Sequence, residues 1–384
     1  MSARWAEGNE LVLLHSGREY FPALLEAIAA SQAEVFLETY IFGEDATAAA
    51  IVEALCDAAR RGVAVHLLID GFGARDMSAD YRQHLAAAGA RLLVYRKPLI
   101  WRPVRGLRRL HRKIVTIDGA VAFVGGINIV DDWNTPDEVP PRYDYAVRIR
   151  GPLSAMIRDD ARRLWARAGW GLLQPKHMPA PHLNPSAPVG STRAGFAIRD
   201  SVAHRTDIED AYLAAIRAAR QSIWIVSGYF LPSRRMVTAL REAAVRGVRV
   251  EILLQGPSDH PLMKAASQSL YRAMLAAGFG VLEYTRSFLH AKVATIDDHW
   301  ATVGSSNLDP FSLMLSREAN LLAEGEFARA LRLSIETAVA DGATRIDETA
   351  LLQFSWWTRL VQWGAYRLAR ATVGWVTSGG RGVW

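Results

Sequence analysis

Two stretches of the chain carry the same five side chains at the same intervals. LHRKIVTIDGAVAFVGGINI holds His111, Lys113, Asp118, Gly125 and Asn128, and LHAKVATIDDHWATVGSSNL holds His290, Lys292, Asp297, Gly304 and Asn307. Each member of the second set follows its counterpart by 179 residues, as in 290 − 111 and 307 − 128. Lysine is scarce here, at positions 97, 113, 176, 264 and 292 against forty arginines (45 − 5), yet both copies keep one. Residues i and i+2 of a strand share a face, so each histidine and its lysine project together. Ile114, Val115 and Ile117 are apolar on both faces, as in a central buried strand, and a charge projecting there needs a partner. An imidazole can attack phosphorus or move a proton. Ammonium groups, asparagine amides and glycine backbone are what phosphoryl oxygens accept hydrogen bonds from. One His-x-Lys is usually a structural pair; two intact copies at identical spacing argue for chemistry.

The elements that must position these groups also come in pairs. Residues 34–42, 63–70, 90–96, 111–118, 121–129 and 143–150 have strand composition, and 46–61 and 79–88 are helical. Short Val/Ile/Leu runs alternating with alanine-rich helices predict an α/β fold with buried mixed sheets flanked by helices. SIWIVSGYF at 222–230 repeats EVFLETYIF, RGVRVEILLQG at 246–256 repeats RGVAVHLLIDG, and LAAGFGVLEY at 275–284 repeats LAAAGARLLVY. The duplication predicts two similar lobes, at 1–174 and 196–345. A linker at 175–195 holds five prolines, and a tail at 346–384 belongs to neither copy.

Composition bounds the rest. With 384 residues, 50% hydrophobic and 22% charged, the chain can bury a large core, which excludes general disorder. Cys56 is the single cysteine, so a disulfide framework and a cysteine-rich zinc site are excluded within one chain. The opening MSARWAEGNELVLL has no secretory pattern, and no run approaches the 18 apolar residues of a membrane span. A net charge of +6 favours anionic partners, phospholipid surfaces or nucleic acid, without choosing between them.

The paired motif resembles the phospholipase D superfamily, whose signature H-x-K-x4-D-x6-G-x-x-N both copies match throughout. The resemblance covers nearly all of 8–340. It implies two pseudo-symmetric lobes with one active site at their interface, built from His111, Lys113, Asp118, His290, Lys292 and Asp297, with no metal and no cofactor. One histidine forms a covalent phosphohistidine while the other protonates the leaving alkoxide and then deprotonates the acceptor. The resemblance assigns attack to His111 and acid–base work to His290; the spacing alone leaves the two roles open. Lys113, Lys292, Asn128 and Asn307 would hold the phosphoryl oxygens. The motif aspartates lie seven residues from their histidines and would support the motif rather than orient the rings. A carboxylate is still needed behind each ring, and similar proteins place acids where Asp144 and Glu318 stand, implying pairs of Asp144 with His290 and Glu318 with His111.

Three features lean towards lipid. FGARD after LLIDG, GYFLPS at 228–233 and QGPSDHP at 255–261 resemble bacterial cardiolipin synthases, nearest the shorter type without N-terminal transmembrane helices. The run from Tyr95 to Lys113 has eight basic residues, no acid, and Leu99, Ile100 and Trp101 at its middle. It accounts for extra length in the first lobe, where Tyr40 to His111 spans 71 residues against 61 from Tyr229 to His290. The tail after Glu348 has no acid, four arginines and five of the twelve tryptophans. At 100° per residue, Phe354, Trp357, Leu360, Val361, Gly364, Leu368, Ala371 and Trp375 gather on one face. Arg359, Arg367 and Arg370, flanked by Trp356 and Trp363, gather on another, as in an interfacial helix. Trp101, Arg102, Trp356, Trp357, Arg359, Trp363, Arg367 and Arg370 are thus candidate membrane contacts. The expected activity is phosphatidyl transfer between phospholipids, with phosphatidylglycerol as acceptor, on the cytoplasmic side of an anionic membrane that the protein binds peripherally. The alternatives are a phospholipid hydrolase and, less favoured, a nucleic-acid phosphodiesterase.

Overall fold

A computed structural model describes residues 3–96, 109–135, 141–171, 186–200, 203–258, 260–309, 316–352 and 355–377. The first lobe runs β1 (Arg4–His15), α1 (Ser16–Ala29), β2 (Glu34–Thr39), α2 (Ala46–Arg60), β3 (Ala64–Asp70), α3 (Ala79–Ala87) and β4 (Arg91–Tyr95). It continues through β5 (Lys113–Ile117), β6 (Val121–Gly125), β7 (Tyr145–Arg150) and α4 (Pro152–Gly171). The second lobe repeats this as β8 (Thr192–Arg199), α5 (Asp207–Ala218), β9 (Ser222–Ser227), α6 (Arg234–Val245), β10 (Arg249–Gln255), α7 (Pro261–Gln268), α8 (Tyr271–Ala276) and β11 (Gly280–Tyr284). Then come β12 (Lys292–Ile296), β13 (Trp300–Gly304), β14 (Glu318–Glu324), α9 (Glu326–Gly342), β15 (Ala343–Ile346), α10 (Glu348–Leu352) and α11 (Trp356–Thr377).

The strands predicted from apolar runs form wherever β-branched residues can be buried on both faces: β2 and β5 have no exposed position. Helix starts follow capping chemistry, since Asp45, Ser78 and Ser233 each accept a hydrogen bond from the backbone amide three residues on.

Two elements join the lobes. β1 pairs antiparallel with β7 through Glu10–His15 and with β8 through Arg4–Asn9. The strands consequently run continuously in the order β15-β11-β10-β9-β12-β13-β14-β8-β1-β7-β6-β5-β2-β3-β4. Because Thr192–Gly195 already belong to β8, the linker reading of 175–195 is too long at its C-terminal end. One apolar cluster crosses the boundary, packing Ile114, Val124 and Val147 with Leu289, Val293 and Leu321. Leu331 and Ile335 of α9 belong to the same cluster. Burial of this kind favours one rigid arrangement of the lobes.

Candidate active site

Each motif histidine is fixed by the other lobe. The His111 amide donates to the Arg317 carbonyl at 3.0 Å, and the His290 amide donates to the Tyr143 carbonyl at 2.8 Å. These are the residues just before Glu318 and Asp144. The same backbone contacts therefore bring each acid behind an imidazole. His111 Nδ1 lies 3.0 Å from the Glu318 carboxylate, and His290 Nδ1 lies 2.6 Å from Asp144 Oδ2. A carboxylate at Nδ1 keeps the proton there and leaves Nε2 to react.

The strand alternation of the motif is visible between His111 and Lys113. Arg112 points to the opposite face, where it is buried against Glu38 and lies 2.7 Å from Asp160. Lys113 turns back to donate to the His111 carbonyl at 2.6 Å, and Lys292 donates to the His290 carbonyl. Both lysines are buried. Burial drives Lys113 down to about 7; Glu318 opposes the fall and Lys292 adds to it. The histidines are lowered as well. For His290 the fall is large, from burial first and then from Lys292, Arg142, Lys113 and His111. Burial lowers His111 too, with Glu318 opposing. Asp144 is pushed up to about 6, chiefly by burial, although Lys292 and the Tyr145 amide pull the other way. These four cationic or protonatable side chains act on one another across the lobe boundary. Lys113, His111 and His290 each find a proton harder to hold, chiefly through burial.

The lobes orient their acids differently. In the second, Ser305 donates to Glu318 Oε2 at 2.5 Å. In the first, the matching position (305 − 179) is Gly126. A Cβ there would fall into the Asp144 carboxylate, 2.8 Å from Cγ and closer still to both oxygens. Glycine is required at that place.

Asp118 and Asp297 sit at the far ends of β5 and β12, away from the histidines. Asp118 accepts from the amides of Gln32, Ala33 and Glu34, each at 2.8 Å. Asp297 accepts from Arg220, Gln221 and Ser222 at 2.6–2.9 Å. Both carboxylates thus tie the motif strand to the strand beside it. Asn128 uses its side-chain oxygen to accept from the Ile41 amide at 3.1 Å. The Asn307 side-chain oxygen is buried with no hydrogen-bond partner, 3.9 Å from where a Gly228 Cβ would stand. Tyr40, which sequence reading used only to measure spacing, packs its ring 5.0 Å from that of His111 and 5.4 Å from Lys113 Nζ. In the repeat its place is taken by Gly228, so no matching aromatic marked it.

No group of three His, Cys, Asp or Glu residues among those described could hold a metal ion. Trp101 and Arg102 lie outside the described residues. Of the other membrane candidates, Trp356, Trp357, Arg359, Trp363, Arg367 and Arg370 all belong to α11. That helix docks through Ala365 and Ala369 onto Leu231 and Ala266. Trp356 and Trp357 stack at 3.9 Å and are 64% and 60% exposed. Leu360, Val361, Trp363 and Leu368 are also exposed. No helix among the described residues is long and apolar enough to cross a membrane.

The family described as "Cardiolipin synthase, PLD-like domain" matches residues 24–155 and 212–336, one segment per lobe and each enclosing a motif. The chain belongs to this family. It is 38% identical to cardiolipin synthase B of Salmonella typhi and of Escherichia coli K12, over 98% of this chain and 92% of theirs. It is 31% identical to a cardiolipin synthase of Halalkalibacterium halodurans over 91% of this chain and 70% of that one. Among solved structures, phosphatidylserine synthase of Haemophilus influenzae superposes with a TM-score of 0.71 at 14% identity, covering 94% of both chains. At that identity the likeness speaks for the fold alone. The chain is accordingly a cardiolipin synthase B homologue, a phosphatidyltransferase of the phospholipase D superfamily.

Proposed function

We propose that the chain transfers a phosphatidyl group from one phospholipid to the glycerol hydroxyl of phosphatidylglycerol through a phosphohistidine. The observation that carries this reading is the crossed pairing of His111 with Glu318 and His290 with Asp144. Nε2 of His111 attacks phosphorus, and the bond to the donor's alcohol breaks as Nε2–H of His290 gives that oxygen its proton. The acceptor hydroxyl then loses its proton to His290 and attacks phosphorus. The P–N bond breaks and His111 is restored. Lys113, Lys292, Asn128 and Asn307 hold the phosphoryl oxygens as charge shifts onto them. Binding an anionic phosphodiester raises the proton affinity of the lysines and of His290, which gives His290 the proton the first step needs.

The same reading places the exposed tryptophans of α11 in the interface of an anionic membrane, with Arg359 and Arg367 towards lipid phosphates. The test is incubation with defined phospholipids followed by mass spectrometry. Cardiolipin and a released headgroup alcohol are expected, with a phosphatidyl adduct trapped on His111 by a denaturing quench. Phosphatidic acid as the only product would make the protein a hydrolase. An adduct on His290 alone would exchange the histidine roles. EDTA should leave the rate unchanged.

A further inference from the structure

We propose that Arg109 and Arg75, gathered over Phe72 at the first lobe's side of the site, form a second anion site that takes the phosphate of the acceptor phospholipid. This deepens the transfer reading by naming what selects the acceptor. The arginines are assembled by Asp70 at the end of β3. Its Oδ1 accepts from the amides of Phe72 at 2.9 Å and Gly73 at 3.1 Å, and its Oδ2 accepts from the Leu110 amide at 2.8 Å. One carboxylate thus binds the 71–73 turn to the residue before His111. The guanidinium carbons of Arg109 and Arg75 consequently come within 4.7 and 5.0 Å of the Phe72 ring centre. Phe72 itself is 42% exposed.

Two like charges are held on one exposed ring, and little of the protein answers them. Nη1 of Arg109 is buried without a hydrogen-bond partner. Among the described residues, Arg75 is paired with the exposed Asp76, at 3.6 Å. Asp70 is the nearby acid, and backbone amides occupy both of its oxygens. The pair borders the chemistry, because Arg109 lies two residues before His111 and the Leu110 amide between them is held by Asp70. The Tyr40 ring in turn packs against His111.

The second lobe does not repeat the Arg109 and Asp70 side chains. Phe288 stands where the repeat would put Arg109 (288 − 179), and Gln255 occupies the strand position of Asp70. The equivalence is in the register, since Asp70 pairs with Tyr95 as Gln255 pairs with Tyr284. Phe288 instead has the Arg142 guanidinium 5.5 Å from its ring centre, so the two rims differ, and a pseudo-symmetric site with unlike rims suits two chemically different lipids. In phosphatidylglycerol the attacking hydroxyl and the phosphodiester lie at opposite ends of one glycerol, so the acceptor brings its own anion within a glycerol's length of the phosphorus under attack. Water and free glycerol bring none. Guanidinium groups bind such a phosphate with charge-assisted hydrogen bonds, and the phenyl ring keeps them aligned.

The experiment offers the full-length protein dihexanoyl phosphatidylglycerol or glycerol as acceptor with the same short-chain donor. Arg109→Gln and Arg75→Gln should each lower kcat/KM for the lipid acceptor about tenfold relative to glycerol, as expected for one lost charge-assisted contact, and Arg109→Lys should recover part of it. An equal fall for both acceptors, or none, overturns the proposal. A second arm needs no turnover: calorimetric binding of dihexanoyl phosphatidylglycerol to the His290→Ala protein. Adding Arg109→Gln should weaken that binding by a similar factor, and an unchanged affinity overturns the proposal. If the wild-type protein transfers to neither acceptor, the transfer reading falls while this arm still decides the anion site. Inorganic phosphate that binds as tightly as the lipid and is lost in Arg109→Gln would make the site one for free phosphate, which also overturns the assignment.

Discussion

At Lys113, burial and the neighbouring Lys292 act against a proton that substrate binding requires. In the free protein this lysine loses its charge as pH rises through about 7, so kcat/KM for an anionic lipid should fall above that pH. Bound phosphodiester stabilises the charged form, so the corresponding limb of kcat should lie at higher pH. Lys113→Arg keeps its charge throughout and should remove the alkaline limb from kcat/KM. Its rate should drop on the order of 10²–10³-fold, because a planar guanidinium cannot reproduce the ammonium geometry. Paired pH–rate profiles of the two proteins check both statements. The histidines allow a simpler outcome. His111→Ala and His290→Ala should each abolish transfer with unchanged circular dichroism, since one site needs a nucleophile and an acid. Substantial turnover in both variants would mean that the site is not shared between the lobes.

Among the elements, the turns after β5 and β12 set the motif in place. Asp118 and Asp297 adopt φ of 52° and 53°, a left-handed conformation that aspartate tolerates better than most residues. From there each carboxylate collects three backbone amides of the approach to β2 or β9. Asp118→Ala should cost roughly 1.5–3 kcal/mol, the range for hydrogen bonds to a charged group. Urea titration should show a lower midpoint with unchanged slope; an unaltered midpoint would deny the aspartate its tying role. Gly126→Ala acts on the neighbouring strand end. Its methyl must displace Asp144, freeing the His290 ring, and kcat should fall on the order of 10²-fold with the fold intact.

For the whole molecule, a site divided between two lobes requires that they stay in register, and the continuous sheet through β1 and β8 ensures this. The tail carries the membrane contact proposed above. The sequence pattern grouped Trp357, Leu360, Val361 and Leu368 on the apolar face of an interfacial helix; α11 docks through Ala365 and Ala369 and leaves those large side chains exposed. Small residues allow close approach to α7, so the helix is seated on the protein while its aromatic surface remains open to lipid. A 1–348 chain should therefore lose most of its co-sedimentation with anionic vesicles, while transfer of detergent-dispersed lipid survives better than transfer on vesicles. If the truncated and full-length chains sediment equally, α11 is not the membrane contact.

The duplicated motif, the alternation of strands and helices and the excess of arginine were legible in the sequence because each is a local pattern with a fixed period. His111 with Lys113 and His290 with Lys292 could be assigned to common strand faces from the i, i+2 rule alone. The acids behind the rings were a different matter. Asp144 and Glu318 are far from their histidines along the chain, and the resemblance to a family, rather than any spacing, pointed to them. β1 closes the gap between the lobes with an N-terminal segment that has no strong alternation, so its role was invisible before its two neighbours were in place. The motif aspartates were expected to support the motif, but which amides they hold is visible only in the fold. Phe72 and Arg75 share one short stretch and Arg109 comes from another, and only the folded course of the chain around Asp70 gathers them. Local sequence determines which side chains share a face; tertiary structure decides what each face meets, because burial and charge depend on neighbours that are distant along the chain.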